Sequence, residues 1–177
     1  MAIQIGAKPD SGFDDPIGML TDCHRRIEQF LKILATVAER AAGRSLTGEE
    51  AAAVTASMQY FRTGGVRHTA DEEESLFPRL RATRATDSMV KLDSLESDHH
   101  EAAKLHESVE TIYREWIAAG RLSAEREQEL LSAMERLTAL YGAHIVIEES
   151  IVFPQAAQVL GEAAIASIGQ EFRARRA

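Results

Sequence analysis

Two segments of the sequence carry the same pair of potential metal ligands at the same spacing. Each has a histidine followed four residues later by a glutamate, first His68 with Glu72 and then His144 with Glu148. Residues four apart lie on one face of a helix, so each pair can reach a single small site. One such pair usually indicates a surface ion pair, whereas two matched copies indicate a shared metal site. Imidazole and carboxylate suit iron, manganese or zinc, and the sequence does not decide between them.

The similarity between the two segments extends beyond the ligand pairs. Corresponding residues are Val54 with Leu130, Met58 with Met134, Phe77 with Phe153, and Pro78 with Pro154. The second and fourth helices of an antiparallel bundle run in the same direction. The repeat therefore predicts that the two ligand pairs face each other at one level of the core.

Four long segments place apolar residues at the alternating three- and four-residue spacing of amphipathic helices. Asp15 followed by Pro16 predicts the start of the first helix, and Gly43 its end. Thr47 with Glu50 predicts a capping box that opens the second helix. The remaining predicted boundaries are a bend or end at Pro78, a loop at 84–87, an end of the third helix near Gly120, a cap for the fourth at Ser123, and an end near Pro154.

Four long helices with short links predict an all-α fold, an antiparallel up-down-up-down four-helix bundle with a short C-terminal helix at 162–173. The predicted organisation is an irregular lead-in at 1–15, the bundle at 16–160, and a C-terminal helix with a basic tail at 161–177. The tail contains Arg173, Arg175 and Arg176, and we expect it to be solvated.

Polar residues interrupt the apolar stripe that each helix turns towards the core. They are His24, His68, Glu72, His99, His106, His144 and Glu148. An isolated charge in a dry core is very costly, and hydrogen bonds alone would satisfy this set poorly. Metal ions resolve the conflict. His99 is preferred to His100 as a ligand because His100 lies one step off the stripe.

The chain resembles the hemerythrin-like, or HHE cation-binding, family in the segments 23–28, 68–78, 95–99 and 144–154, and overall across about 16–160. The resemblance implies a non-haem di-iron site with an oxo or hydroxo bridge between two iron ions. By position it implies two kinds of ligand. The terminal ligands are His24, His68, His99 and His144, and the bridging carboxylates are Glu72 and Glu148.

The chain departs from the oxygen-carrying members of that family at Ala103, where those proteins have a fifth histidine. His106 lies two turns after His99, roughly 10 Å along the helix axis, which is too far to bind the same ion without distortion. It can support a ligand, line an entrance or close a differently shaped site. Glu73 and Glu149 lie off the stripe and are predicted to be exposed, with a reserve role as ligands.

The predicted function is that of a non-haem di-iron protein that binds or senses O2, NO or iron. With four histidines assigned, at least one iron keeps an open coordination position, which reactivity requires. The alternative is a di-iron oxidase or peroxidase-type enzyme acting on peroxide or NO. Zinc that only stabilises the bundle is the third reading. Tyr113 and Tyr141 also lie on the stripe, where we expect each hydroxyl to make a hydrogen bond.

Composition sets the remaining expectations. The chain has 177 residues, a net charge of −8 and one cysteine, Cys23. The size favours one domain, and the negative charge argues against nucleic acid and membrane partners. The single cysteine and the lack of a long apolar run predict a cytoplasmic setting. The sequence specifies neither the oligomeric state nor the ligand.

Overall fold

The structure is a computed structural model that describes residues 10–83 and 86–177, with side chains at 86–90 left undescribed. It contains five helices, and the described residues form no β-strand. Three helices are regular: α1 is Pro16–Arg40, α3 is Thr86–Ala119 and α5 is Glu162–Ala174. The all-α prediction is confirmed.

The other two helices are interrupted by wider π-helical turns. In α2, Gly48–Tyr60, Val66–Asp71 and Phe77–Ala82 are joined by π turns at Phe61–Gly65 and Glu72–Leu76. In α4, Ala124–Ile147 and Phe153–Val159 are joined by a π turn at Glu148–Val152. The turns that begin at Glu72 and Glu148 occupy corresponding positions in the internal repeat.

The first four helices pack in a ring. Each contacts the next along the chain, and α1 also contacts α4, while α5 lies against α1 and α2. This is the contact pattern of an up-down-up-down bundle. Within the described part of the chain, no helix combines the length and the apolar content that crossing a bilayer would require.

The helix ends follow the chemistry read from the sequence. The Asp15 side chain accepts a hydrogen bond in the first turn of α1, and Ser123 does the same in α4. Thr47 and Glu50 form the predicted capping box. Gly43 and Gly120 follow α1 and α3 with φ of 78° and 77°, a conformation that favours glycine.

Pro154 lies near the end of α4, which stops at Val159, as predicted, whereas Pro78 does not end α2, which continues to Ala82. Each proline lies two residues after the end of a π turn. The intervening residue, Phe77 or Phe153, donates its backbone N–H five residues back, to the carbonyl of Glu72 or Glu148. The proline is the second residue of the new helical segment, in the first turn, where it needs no N–H donor.

Two boundary predictions concern irregular segments. Residues 10–15 are irregular as predicted, whereas 1–9 of the lead-in and 84–85 of the loop lie outside the described residues. The loop prediction was wrong at Thr86 and Asp87, which already belong to α3.

Two apolar clusters enclose the polar layer. One contains Ile27, Leu34 and Leu137, and the other contains Leu20, Leu95 and Phe153. His24 lies between Leu20 and Ile27 on α1, so the polar side chains occupy the level between the clusters. Cys23 is buried beside them.

The prediction of a solvated basic tail was wrong for two of its three arginines. Arg175 and Arg176 pair with Asp71 on α2, whose side chain is fully buried. The Arg175–Asp71 contact is 2.9 Å and the Arg176–Asp71 contact is 2.5 Å. Arg173 is exposed and lies over the ring of Phe13. The tail thus neutralises a charge adjacent to the polar layer.

We expect the double substitution Arg175→Ala/Arg176→Ala to lower the free energy of unfolding by about 3 kcal/mol, because it leaves the buried Asp71 carboxylate unpaired. Urea unfolding followed by circular dichroism measures the change. Arg173→Ala is the matched control from the same tail, with an expected change below about 1 kcal/mol. Equal losses in both variants would contradict the assigned role of the ion pairs.

Candidate metal centre

The six predicted ligands converge at one level of the bundle core. His24 comes from α1, His68 and Glu72 from α2, His99 from α3, and His144 and Glu148 from α4. Their side chains are between 0% and 7% exposed. Four helices therefore supply one buried set of imidazoles and carboxylates.

These side chains form two groups, each with donor atoms within 4.8 Å of one another. The first group contains His24, His68, Glu72 and Glu148. In it, His24 Nε2 lies 3.0 Å from Glu148 Oε2, and His68 Nε2 lies 3.4 Å from Glu72 Oε1.

The second group contains His99 and His144 with the same two glutamates. His99 Nε2 lies 3.3 Å from Glu72 Oε2, and His144 Nε2 lies 3.2 Å from Glu148 Oε1. Each carboxylate therefore directs one oxygen to each group. That arrangement is suited to carboxylates that bridge two cations.

Hydrogen bonds within the described protein do not satisfy this layer. Both oxygens of Glu72 and Glu148 and the Nε2 atoms of His24, His99 and His144 are buried and lie close together, but none has hydrogen-bond geometry to a described residue. Unpaired buried polar atoms are rare because each is costly. Two ligand atoms that lie about 2.1 Å from one ion and at right angles are about 3.0 Å apart. The observed separations fit that spacing.

The pKa values of the buried glutamates and of His68 also favour metal binding. Burial raises the pKa of Glu72 well above its usual range, and the neighbouring Glu148 carboxylate adds to the shift. Burial also acts to raise the pKa of Glu148, but the imidazoles of His144 and His24 outweigh it, so this pKa lies below its usual value. Burial lowers the pKa of His68 well below its usual value, which keeps the ring neutral. A neutral imidazole is the form that binds a metal, and a divalent cation displaces a proton shared by two carboxylates.

Three further carboxylates hold the outer nitrogens of the histidines. His24 Nδ1 lies 2.9 Å from Glu149, and His99 Nδ1 lies 2.8 Å from Glu73. His144 Nδ1 lies 3.4 Å from Asp98. Such partners fix the tautomer and the orientation of a metal-binding imidazole.

These contacts were not predicted from the sequence. Glu73 and Glu149 were predicted to be exposed acids. Their side chains are only 29% and 28% exposed, respectively, and each bonds a histidine of another helix. Asp98 was not singled out at all. The internal repeat contained a signal for the first two, since each bridging-type glutamate is followed directly by another glutamate.

The remaining candidates lie outside the two groups. His100 is exposed and bonds the backbone carbonyl of Glu96, in agreement with the choice of His99. His106 Nε2 lies 3.1 Å from the Tyr141 hydroxyl, and Ala103 is exposed one turn away. Of the three roles predicted for His106, lining an entrance is the one its position supports. Tyr113 donates to the Leu34 carbonyl, as expected for core packing.

A helical bundle with two adjoining buried groups of imidazoles and carboxylates is typical of metal-binding helical-bundle proteins. Residues 15–156 match the family model described as the hemerythrin HHE cation binding domain. The chain therefore belongs to the hemerythrin HHE cation-binding family, as predicted from its sequence.

A similar chain occurs in Haemophilus influenzae, in a protein described as uncharacterized. It is 26% identical over 165 residues, which cover 93% of this chain and 91% of that protein. The similarity therefore extends over nearly the whole length of both proteins.

We expect His144→Ala and Glu148→Ala to lose most of their bound metal, because each removes a donor atom from the buried layer. Glu148→Ala should have the larger effect, since its carboxylate serves both groups. Metal content measured by plasma mass spectrometry after anaerobic loading tests this. His100→Ala is the control and should retain its metal. Equal loss in all three variants would show that the assignment of the α3 ligand is wrong.

The outer carboxylates predict that the two metal positions differ in affinity. His68 Nδ1 has no acceptor among the described residues, whereas both histidines of the second group have one. We expect the position formed by His99 and His144 to fill first in an anaerobic Co2+ titration followed by absorption. Asp98→Ala should weaken that position about 10- to 100-fold.

Asp93→Ala provides the control for this titration. Asp93 lies on the same helix, is 78% exposed and pairs only with Arg81 among the contacts seen here. Its substitution should leave both binding steps unchanged. A wild-type titration with two equal steps would contradict the predicted difference.

Proposed function

We propose that the chain binds two iron ions and uses them to bind or sense a small diatomic molecule, O2 or NO. His24 and His68 hold one ion, His99 and His144 hold the other, and Glu72 and Glu148 bridge them. The observation that carries this proposal is the direction of the two carboxylates, each with one oxygen in each group. Bound iron would supply a redox-active pair with affinity for diatomic ligands.

The residues of the chain favour an open site over a closed structural one. Each group offers four protein donor atoms, one from each of its residues. That is fewer than an octahedral ion takes, so coordination positions stay free for an external ligand. A structural zinc site of four protein ligands is normally closed and tetrahedral. Two groups that share both carboxylates suit a pair of adjacent ions better than separate closed sites.

The surrounding residues prepare the site. The carboxylates of Glu73, Asp98 and Glu149 orient three of the four imidazoles, so little reorganisation is needed when metal binds. Arg25 contacts Glu149 at 2.7 Å and limits the negative charge that this outer shell adds. The apolar clusters on either side restrict the access of water, which strengthens electrostatic interactions inside the layer.

A second candidate function is a peroxidase-type or oxidase enzyme that acts on peroxide or NO. The observation that favours it is the pair formed by His106 and Tyr141 on the wall of a cavity that reaches His99. A hydroxyl hydrogen-bonded to an imidazole can donate or accept a proton beside the site. A diatomic carrier or sensor does not require such a pair.

Anaerobic loading with Fe2+ tests the proposal. We expect close to two irons per chain and, on exposure to air, new charge-transfer absorption in the near-ultraviolet and visible range. The absorption should bleach when O2 is removed if the protein is a reversible carrier or sensor. His144→Ala should develop little of it, whereas His100→Ala should match the wild type.

The same experiment separates the candidates. Sustained consumption of peroxide or NO by the iron-loaded chain, lost in Tyr141→Phe but with iron content retained, would support the enzyme instead. A chain that takes up no iron under these conditions would contradict both proposals.

A further inference from the structure

A cavity of about 430 Å³ lies between α2 and α3 and reaches the polar layer at His99. Most of its wall is apolar and includes Met58, Phe61, Ala102 and Val109. A diatomic ligand needs about the space of one water molecule, roughly 30 Å³. The cavity is therefore far larger than the passage of O2 or NO requires, and its volume falls in the range of small-molecule sites.

Two small residues create this space. Gly65 on α2 and Ala103 on α3 both line the cavity. A Cβ atom placed on Gly65 would approach only Phe61, at 3.4 Å, which is an ordinary contact distance. Packing of the helices therefore does not demand a glycine at this position.

The internal repeat supplies a comparison within the same chain. The corresponding groove lies between α1 and α4, where Tyr141 takes the place of Gly65 and Glu28 the place of Ala103. Its described lining includes both of these larger residues but not His24. Of these two grooves, the one between α2 and α3 reaches a histidine of the polar layer, His99, and the one between α1 and α4 does not.

Aromatic rings and one neutral polar pair characterise the wall. The Phe61 ring lies over His106 with centroids 4.1 Å apart, and His106 bonds the Tyr141 hydroxyl. Burial lowers the pKa of His106 to about 4 and raises the pKa of Tyr141, so both are neutral near pH 7. Arg62 and Arg114 also line the cavity, and both pair with Glu110.

We propose that this cavity binds a small neutral phenol, with its ring against Phe61 and His106 and its hydroxyl bonded to Tyr141. Aromatic walls favour an aromatic ligand, and a Tyr–His pair can accept and donate one hydrogen bond. The neutral pair offers no compensation for an anion, whose burial would be costly. The inference deepens the proposed function because His99 lines the same cavity, but binding depends on these walls and not on the identity of the metal.

Phenol itself is the probe. We expect titration of phenol into the 15N-labelled, zinc-loaded chain to give saturable amide shifts centred on Gly65 and Ala103, with a dissociation constant of about 1 mM or lower. The titration is repeated on the metal-free chain. Benzoate, an aromatic anion, should bind at least about tenfold more weakly than phenol.

Variants that fill the cavity test its location. Ala103→Leu and Gly65→Leu, which narrow it from opposite walls, should each weaken phenol binding at least about tenfold. Ala118→Leu is the matched control, because it makes the same change at an exposed site on the same helix and outside the cavity. Circular dichroism verifies that each variant is folded.

Tyr141→Phe tests the hydrogen bond separately from the shape of the cavity. It should weaken phenol about fivefold while leaving the affinity for benzene unchanged. Equal effects on the two ligands would overturn the assigned role of the hydroxyl.

The absence of saturable shifts, or shifts that survive both cavity-filling variants, would overturn the phenol site. If the iron-loaded chain still binds O2 or NO, that result leaves the proposed function standing. If the chain binds phenol but takes up no iron, the phenol site is supported and the di-iron proposal is contradicted.

Discussion

Two fully buried carboxylates, Glu72 and Glu148, lie side by side in the core, and their mutual repulsion is the constraint on which the rest of the structure depends. A neutral imidazole carries no charge that could offset a buried carboxylate in an apolar interior. Positive charge must come from a proton or a cation placed between them. Apolar clusters lie on both sides of the layer, so the layer itself has to bind that charge. The family to which the chain belongs is defined by cation binding, in agreement with this requirement.

The helices are adapted to this layer at two levels. A π turn begins at each of the two glutamates, and π turns are rare and frequently mark functional sites. Outside the imidazoles, carboxylates from neighbouring helices hold the ring nitrogens that face away from the layer. Beyond them, Arg175 and Arg176, which follow the last helix, neutralise Asp71, which directly precedes Glu72. Stability and site geometry are therefore linked through the same part of α2.

The sequence predicted the fold and the buried polar residues because periodicity identifies the face of a helix that turns inward. His24, His99 and the two repeated pairs all lie on that face. Periodicity does not identify a partner on another helix, so the contacts of Asp98 with His144 and of Arg176 with Asp71 could not be foreseen. Nor does it reveal a π turn, which is why Pro78 was expected to bend or end α2. Glu73 shows a further limit, because a residue off the stripe can still reach the next helix.

The internal repeat of the bundle has an evolutionary consequence. Duplication of one ancestral helical hairpin would produce two copies of the His–Glu pair, each followed by Phe-Pro. Selection could then act on each copy separately, because a substitution in one copy leaves the other unchanged. Leu31 and His106 occupy corresponding positions in the two copies and differ, as do Gly65 and Tyr141. Each copy keeps its His–Glu pair, whereas the residues beside the pair differ between the two copies.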